Sequence, residues 1–482
     1  MKKILIFYPD KSIKNVFSKN QDIVFFDDFG WWQQKGNKRV NIPISQEILD
    51  LKRIDFKELI SILRYWGPLW SRMIAKGDQL ELTYRKVALL ILNITSDMKK
   101  LKITKAIFMT GITHHIDSLI FDYACSYLKI NKIFLYREVV AGRLIPILQK
   151  LDFPSKTLLN KSVSSYNYEK ILDEFKLNKL HNNFPVSNYA FSRCKNFYLS
   201  IIRALYLDFK FIIRNILKFV AIRLELNFIY KPKTFSFIYQ TYPFQITLQL
   251  MQLHDALKYY QLRCLKLEDI NLFKKKARKP FFLVVANFQP EATSFPEGWN
   301  YNNHIDLVIQ LRKKGIKGII LYKEHPDMFS YLIGSSTTGA GIMRSVEYYK
   351  QLEQLGCIFI RNDFDLTVDP GECNWYIPVT ISGTIALERA LFGFSTIVAG
   401  RPWFENMPGI VSLEKVNSLQ RFNFSILKQS NKIEKDACQF LYAQLNNKTI
   451  LNNAGIGDDI KSPDKKITHE YIANFKQLIS KI

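Results

Sequence analysis

Short apolar runs alternate with amphipathic segments along most of the chain. Near the N-terminus, "KKILIFYP" and "DIVFFDD" have the length and composition of buried strands. The segment "QLELTYRKVALLILNITSDMKKL" places its apolar residues on one helical face. A strand, a polar loop, a helix and another strand then follow in "KAIFMTGITHHIDSLIFDYACSYLKINKIFLYREVV". This alternation predicts βαβ units and a parallel sheet.

The alternation stops in the middle of the chain and returns in the C-terminal part. Residues 156–275 contain polar, Asn-rich and Ser-rich stretches followed by long, basic, helical segments. From "FFLVVA" to "FSTIVAG" strands and helices alternate again, and a glycine closes each of three predicted helices: Gly315, Gly356 and Gly393. We therefore predict an α/β protein with two Rossmann-like domains and a helical basic insert. The predicted ranges are 1–155, 156–275 and 276–482.

Charge is the unusual feature of the composition. The chain of 482 residues has 68 lysines and arginines against 43 aspartates and glutamates, which gives a net charge of +25. Such a surface attracts the phosphate groups of nucleic acid, of anionic lipid or of an activated substrate. The basic residues are spread over most segments, and no helix-turn-helix, zinc-finger or RNP-like pattern occurs. We therefore expect no nucleic-acid partner.

The cysteines and the apolar runs indicate the compartment. Six cysteines are scattered without a CxxC pair or a histidine at ligand spacing, which argues against a zinc site and a disulfide framework. No apolar run reaches the roughly 18 residues of a membrane-spanning helix, and the first one is too short for a signal peptide. The pattern predicts a protein of the cytoplasm.

One segment of the insert has a pattern suited to a membrane surface. In "FYLSIIRALYLDFKFIIRNILKFVAIR" four basic residues fall near one helical face, and apolar residues occupy the rest: the basic residues are Arg203, Lys210, Arg214 and Lys218. A helix of this kind is suited to an anionic membrane surface. A core helix with a solvated basic stripe has the same pattern, so the sequence leaves both interpretations open.

A possible phosphate-binding segment lies in "VTISGTIALERALFG", where Ser382, Gly383 and Thr384 separate a predicted strand from a predicted helix. Backbone N–H groups, two hydroxyls and the positive end of the helix dipole could hold a phosphate there. A helix cap without any ligand has the same pattern. Glu388, one turn further on the same face, could accept ribose hydroxyls, or else pairs with Arg389 or solvent.

Two other strand ends carry basic side chains. "LYKEHPDMF" places Lys323 and His325 after a strand, and a histidine titrates near neutral pH. His325 could thus donate to a phosphate or protonate a leaving group. In "GRPWFENMPGIV", Arg401 could clamp an anion, and for Trp403 structural packing is the safer interpretation.

The segment "ANFQPEATSFPEGWNYNN" follows a further strand with a polar and rigid turn. Gln289 and Glu291 flank a proline, and a carboxylate held there could be a base, a nucleophile or the stabiliser of a positive sugar centre. Glu297 is a competing carboxylate, and a polar loop without chemistry is the alternative. In the N-terminal half, "TGITHHID" lies at the carboxyl end of its strand, where open α/β sheets bind ligands.

The order of these segments is more informative than any one of them. The series "NFQPEATSFPEG", "KEHP", "ISGTIALERALFG" and "AGRPWF" resembles bacterial surface-polysaccharide biosynthesis glycosyltransferases, the capsule-synthesis group that includes the Kdo transferases. The stretch "HHIDSLIFDYACSYLKINKIFLYREVVAGRLIPI" is similar to the first half of that group. The resemblance covers roughly residues 100–150 and 280–410.

The resemblance implies a GT-B-like architecture, with the donor nucleotide in the C-terminal half and the acceptor facing the N-terminal half. The implied catalytic residues are Glu291, Gln289 and His325. Of the donor-binding candidates, Ser382 and Thr384 fit the family's pattern, and Lys323, Gly383, Glu388 and Arg401 are candidates by their positions at the strand ends and on the helix. The acceptor-side candidates in the N-terminal half are His114, His115 and Asp117.

It further implies a metal-independent enzyme without a separate cofactor. The donor would be a nucleotide-sugar, in particular a CMP-activated acid sugar such as Kdo, because His325 with Pro326 and the Ser382–Thr384 turn match the family's CMP-phosphate motifs. The acceptor would be a lipid-linked glycan, used at the inner face of the plasma membrane.

One position departs from the family pattern. The family has Leu-His where this chain has Ala286 and Asn287, so a hydrogen-bonding histidine is replaced by an asparagine. A catalytically silent glycan- or lipid-binding partner in a polysaccharide assembly complex is therefore the alternative function. Nucleotide binding would separate the two.

Overall fold

The structure is a computed structural model of the chain, and the fold follows from the residues that it describes. These are 3–7, 11–28, 31–33, 39–41, 91, 94–109, 116–137, 143–147, 173, 176, 197–223, 245–276, 280–289, 298, 300–301, 303–326, 328, 344–362, 364, 366, 375–419, 429–448, 450–451 and 465–481. Within these ranges no helix combines the length and the apolar character that crossing a bilayer requires.

Each apolar run predicted as a strand forms one, and the structure adds short strands that the pattern did not predict. In chain order they are β1 (Lys3–Phe7), β2 (Ile23–Asp28), β3 (Trp31–Gln33), β4 (Arg39–Asn41), β5 (Ile103–Phe108), β6 (Asn131–Arg137), β7 (Arg143–Ile147), β8 (Phe281–Val285), β9 (Ile320–Lys323), β10 (Cys357–Ile360), β11 (Tyr376–Thr380), β12 (Thr396–Val398), β13 (Ile410–Ser412) and β14 (Ile450–Leu451).

The helices occupy the amphipathic segments between them. They are α1 (Lys11–Phe17), α2 (Ile116–Tyr127), α3 (Phe197–Arg223), α4 (Gln245–Arg263), α5 (Leu267–Lys276), α6 (His304–Lys313), α7 (Val346–Gln354), α8 (Ile385–Leu391), α9 (Asn431–Lys448) and α10 (Lys465–Lys481). The glycines predicted to end three helices have positive φ, at 100° for Gly315, 79° for Gly356 and 81° for Gly393. A side chain is strained in that conformation, which is why glycine stands there.

Contacts divide the chain into two compact units, each with its own sheet. The first contains residues 1–165, 207–243 and 446–482, and the second contains 166–206 and 244–445. The predicted α/β class is confirmed, with one sheet that is parallel at its centre and a second sheet that is parallel throughout. The domain ranges given above stay a prediction. The contact division differs from them by placing 446–482 with the first unit and by dividing 156–275 between the two units, at residue 206 within α3.

The sheet of the first unit has eight strands in the order β14-β7-β6-β5-β1-β2-β3-β4. The four central strands pair in parallel, and the outer ones are antiparallel. Since β1 lies between β2 and β5, the strand order reverses at β1 and β5. The loop that follows β5, which contains His114 and His115, lies outside the described residues.

Both faces of this sheet are buried. Phe7 stacks on Phe26 with ring centroids 4.9 Å apart, and Phe121 of α2 lies 4.4 Å from Phe26. The opposite face packs against α1 and α10, through residues that include Ile6, Ile13, Ile107, Ile133, Tyr471, Phe475 and Leu478. The strand period of two assigns successive apolar residues to these two cores.

The sheet of the second unit has six strands, all parallel, in the order β10-β9-β8-β11-β12-β13. β8 is the first strand of this sheet in chain order. The next two strands, β9 and β10, lie on one side of it, and β11, β12 and β13 lie on the other side. The strand order therefore reverses between β8 and β11. In open α/β sheets the crevice outside the carboxyl ends of two such strands is where ligands bind.

Alternation along β8 assigns its residues to two cores. Phe282, Val284 and Ala286 pack with α4, α6 and α7, and Leu283 and Val285 pack on the other face near α5. Because both faces are covered, the strand is a continuous apolar run. The polar residues that follow it stand out for this reason.

Candidate functional site

Asn287 lies at the point where the strand order reverses. Its backbone N–H donates to Nε2 of His304 at 2.9 Å. Its side chain accepts a hydrogen bond from Thr380 Oγ1 at 3.1 Å and donates to Ser382 Oγ at 3.4 Å. Asn287 therefore joins the end of β8 to the end of β11 and to the first residue of α6.

The turn after β11 is held tightly against this asparagine. The Gly383 N–H donates to Thr380 Oγ1 at 3.2 Å. A Cβ atom at Gly383 would lie 2.7 Å from Thr380 Oγ1 and 3.6 Å from Asn287 Nδ2, so a larger residue would displace the turn. Ser382 is buried here. At Gly383 the backbone therefore lies at the carboxyl edge of the sheet without a side chain to cover it.

Thr384 and Glu388 form a pair on α8. Thr384 has helical dihedrals of −60° and −19° and makes no side-chain cap hydrogen bond. Its hydroxyl instead donates to Glu388 Oε1 at 3.2 Å, as their four-residue spacing suggests. Arg389, the alternative partner for Glu388, is buried, with its guanidinium 4.9 Å from the ring centre of Phe394. Because α8 has only seven residues, its dipole adds little to anion binding.

His304 is a fully buried histidine at the start of α6. Because Nε2 accepts the Asn287 N–H, the neutral ring carries its proton on Nδ1, which lies 3.3 Å from the Tyr348 hydroxyl. Burial, reinforced by the charge of Arg344, lowers the pKa of His304 to about 3. The ring is therefore neutral at physiological pH and holds Asn287 in place.

Because the His304 ring is buried and neutral, we expect the protein to lose stability on mild acidification. The unfolded chain protonates His304 near its ordinary pKa of 6.5, whereas the folded protein does so only near 3. The contribution is complete above pH 6.5 and falls progressively as the pH approaches 3, because the unfolded state binds the proton first. At about pH 5 the free energy of unfolding should be lower by about 2 kcal/mol than at neutral pH.

Urea unfolding at the two pH values tests this expectation. His304→Gln keeps an acceptor for the Asn287 N–H but does not titrate, so its pH dependence should be shallower. His469→Gln changes an exposed histidine on α10 and should keep the parent's slope. Equal slopes for parent and His304→Gln would contradict the assignment.

Glu324 and Arg344 form a buried ion pair directly beneath the end of β9. Arg344 donates through Nε to Oε2 at 2.6 Å and through Nη2 to Oε1 at 3.1 Å, and both side chains are fully buried. The carboxylate also accepts from Tyr349 Oη at 2.8 Å, from Tyr322 Oη at 3.2 Å and from the His325 N–H at 2.8 Å. Both oxygen atoms of the Glu324 carboxylate therefore accept two or more hydrogen bonds.

Electrostatics keep this pair charged. Burial alone would raise the pKa of Glu324, but the charge and hydrogen bonds of Arg344 outweigh it and bring the pKa to about 2. The remaining Arg344 Nη1 donates to Gln289 Oε1 at 2.9 Å, and the guanidinium lies 4.6 Å from the ring centre of Tyr348. One buried arginine therefore links the segments that follow β8 and β9.

The other residues predicted on this side of the sheet are distributed as follows. Gln289 is buried, and its side-chain oxygen accepts a hydrogen bond from Arg344. Lys323 is buried at the end of β9, and its carbonyl accepts the Ala286 N–H at 2.9 Å. His325 is half-buried, with its ring edge-on to Phe288 at 5.8 Å.

Arg401 and Trp403 follow β12. Arg401 is exposed and donates through Nη2 to Glu414 Oε2 at 3.2 Å. Trp403 is almost fully buried and packs edge-on against Phe404 at 5.6 Å. The interpretation of Trp403 as a packing residue is thus confirmed, whereas the Arg401 guanidinium stays open to solvent on one side.

Some predicted residues lie outside the described structure. These are the proposed catalytic Glu291, its competitor Glu297, and His114 and His115. Asp117 is part of α2, and its side chain is not among those described.

Sequence reasoning missed the buried residues that shape the edge of the sheet. The missed residues are His304, Tyr322, Arg344, Tyr348, Tyr349 and Thr380. Thr380 had a usable signal, because it is a hydroxyl residue at a strand end directly before the Ser-Gly-Thr turn. Arg344 had none, since an arginine before a helix cap is ordinarily solvated.

Comparisons with known proteins give distant structural similarities. No family model and no curated protein matches the chain. It is similar to the beta-Kdo 2,7-transferase KpsC of Thermosulfurimonas dismutans, with a TM-score of 0.31, 10% identity, and coverage of 80% of this chain and 90% of that one. It is also similar to apo OtsA, with a TM-score of 0.28, 8% identity and 99% of both chains covered. MnaA of S. aureus, in a structure with UDP, has a TM-score of 0.23 and 12% identity over 100% of this chain and 98% of that one.

Proposed function

We propose that the chain is a glycosyltransferase that binds a nucleotide-sugar at the carboxyl edge of its six-stranded sheet. The observation that carries the proposal is the reversal of strand order between β8 and β11, with Asn287, Thr380 and Ser382 hydrogen-bonded around it. Sheets of this topology bind nucleotides in that crevice. The sequence resemblance to polysaccharide-synthesis glycosyltransferases supplies the reaction class.

The turn at Gly383 supports a phosphate-binding role. A residue without a side chain allows the phosphates to approach backbone N–H groups closely, and the packing against Thr380 fixes the turn beforehand. Lys323 and His325 at the end of β9, and Arg401 after β12, lie at the carboxyl ends of strands of the same sheet and supply basic side chains. We propose that these groups stabilise the negative charge of the departing nucleotide, so that transfer needs no metal ion.

The finer assignment follows the resemblance. We propose a CMP-activated acid sugar such as Kdo as donor and a lipid-linked glycan of surface-polysaccharide (capsule or LPS) synthesis as acceptor. Glu291 is the proposed catalytic carboxylate, and His325 the proposed donor to the phosphate or leaving group. The acceptor side is assigned to His114, His115 and Asp117.

Nucleotide binding tests the proposal without an acceptor. The purified chain should be stabilised against heat by CMP or a related nucleotide, because a ligand that binds only the folded state raises its stability. Ser382→Ala and His325→Ala should each weaken binding by about tenfold or more, since each removes a hydrogen bond to a charged group. Thermal shifts over a nucleotide titration provide the measurement.

Matched controls separate binding from general damage. Ser345→Ala removes another serine at a helix start, where Ser345 caps α7 through a 3.1 Å bond to the Tyr348 N–H. His469→Ala removes an exposed histidine of α10. Both should respond to nucleotide as the parent does. Absence of stabilisation by CMP, UDP and GDP and their sugars in the parent protein would refute the proposal.

One observation favours the second candidate function, a catalytically silent glycan- or lipid-binding partner. Asn287 stands where the related enzymes have a histidine, and both ends of its amide are engaged with Thr380 and Ser382. The same titration decides between the two. A protein that binds the glycan acceptor but no nucleotide would be the silent partner.

A further inference from the structure

The most deeply buried residues of the helix α3 are small or polar. Ser200 and Ala204 are fully buried and Asp208 is 2% exposed. These positions are four residues apart and therefore lie along one face of the helix. Asp208 is also the single acidic residue in the 27 residues of α3.

Most of the large apolar residues of α3 whose side chains the structure describes are exposed. Six of them form one stripe at three- and four-residue spacing: Tyr198, Ile202, Leu205, Phe209, Ile213 and Ile216, which are 77%, 63%, 40%, 60%, 42% and 56% exposed. Tyr206 and Leu199, at 62% and 57%, widen the stripe. A surface helix of a globular protein normally buries such a stripe, so α3 is inverted.

Basic residues line one side of the apolar stripe. Arg203 and Lys210 are exposed and, seven residues apart, lie near the same angular position on the helix. With Asp208 buried, no carboxylate of α3 faces outward beside them. Among the described side chains of α3, the exposed ones are therefore aliphatic, aromatic or basic.

We propose that this surface of α3 binds an anionic lipid bilayer, with the helix lying in the plane of the membrane. The aromatic residues Tyr198, Tyr206 and Phe209 suit the boundary between headgroups and acyl chains, and lysine and arginine beside them attract anionic headgroups. The net charge of +25 adds long-range attraction to the same surface. The inference goes beyond the proposed enzymatic function and does not depend on it.

A bilayer fits this surface better than a protein partner does. A protein partner would have to place acidic residues opposite the basic side of α3, whereas an anionic bilayer presents negative headgroups along the whole helix. The outward side of α3 offers positive charge alone among its described residues. The helix is also about 40 Å long, long enough to lie across several lipid headgroups.

Sedimentation with lipid vesicles tests the apolar part. The parent protein should bind vesicles of phosphatidylcholine and phosphatidylglycerol. The variant Ile202→Glu/Phe209→Glu should bind on the order of a hundredfold more weakly, because it removes buried apolar area and adds repelling charge. Leu262→Glu changes a leucine that is 77% exposed on α4 and should bind as the parent does.

A second pair of variants tests the electrostatic part. Arg203→Gln/Lys210→Gln should bind the anionic vesicles roughly tenfold more weakly, because each basic residue near an anionic surface contributes. Lys313→Gln/Lys317→Gln removes two exposed lysines elsewhere and should have a much smaller effect. Binding of the parent should fall as salt is raised and be weak on phosphatidylcholine alone.

Three outcomes would overturn the proposal. They are unchanged vesicle binding by Ile202→Glu/Phe209→Glu, equal binding of the parent to neutral and anionic vesicles, and an oligomeric parent that becomes monomeric in the apolar variant. The last would show that a second copy covers the stripe. Circular dichroism confirms that each variant is folded, and since the substituted residues are exposed we expect no loss of structure.

Discussion

Replacing Arg344 by methionine is expected to lower the free energy of unfolding by about 3–5 kcal/mol. The substitution leaves the carboxylate of Glu324 fully buried without its counter-charge. Without the charge of Arg344, burial raises the pKa of Glu324 against the remaining hydrogen bonds from Tyr322, Tyr349 and the His325 N–H, so the group must either protonate or admit water. Gln289 also loses its hydrogen bond, which loosens the segment after β8. Urea unfolding at neutral pH measures the loss.

Two further variants show whether the loss of stability comes from the Glu324 carboxylate that is left without its counter-charge. Glu324→Gln/Arg344→Met removes both charges and should recover much of the lost stability. Lys350→Met breaks an exposed pair with Glu347, 2.8 Å apart on the surface of α7, and should leave the stability nearly unchanged because solvent screens an exposed pair. A single Arg344→Met variant as stable as the parent would show that the pair is not needed for folding.

Replacing Glu291 by glutamine should lower the rate of sugar transfer on the order of a thousandfold and leave nucleotide binding intact. Either route of transfer needs a carboxylate beside the anomeric carbon, as base or as nucleophile, and an amide serves neither purpose. The segment that carries Glu291 starts at Gln289, which Arg344 anchors at the edge of the sheet. This prediction rests on the proposed function.

Glu297→Gln is the matched control, because it changes the other carboxylate of the same segment in the same way. It should retain most of the transfer rate. Product formation from a CMP-sugar onto a glycan acceptor measures both variants, and the thermal shift with nucleotide confirms that the donor still binds. Full turnover by Glu291→Gln would remove that residue from the catalytic role.

The sequence predicted the elements well because strands and helices depend on local periodicity. "FFLVVA" is a buried strand whatever surrounds it, and β8 occupies Phe281–Val285. Gly356 and Gly393 marked two helix ends correctly, because positive φ is a local demand on the backbone. The end of β9 at Lys323 followed from the same kind of pattern.

The order of the strands and the buried polar residues could not be predicted in this way. Nothing near β8 encodes that β11 becomes its neighbour, so the contact between Asn287 and Ser382, 95 residues apart, was hidden. His304 and Arg344 are polar residues whose burial depends on partners in other elements. The helical pattern of α3 was also ambiguous, since a helical wheel shows an apolar stripe without showing which side the protein covers.

The return of residues 446–482 to the first unit has a consequence for biosynthesis. Tyr471, Phe475 and Leu478 of α10 fill the same core as Ile6 of β1 and Ile107 of β5. A ribosome produces β1 first and α10 only after the whole of the second unit. Domains generally fold as units during synthesis, so the second unit is the first that can be completed. Strands β1 and β5 are therefore synthesised long before α10, which covers one face of their sheet.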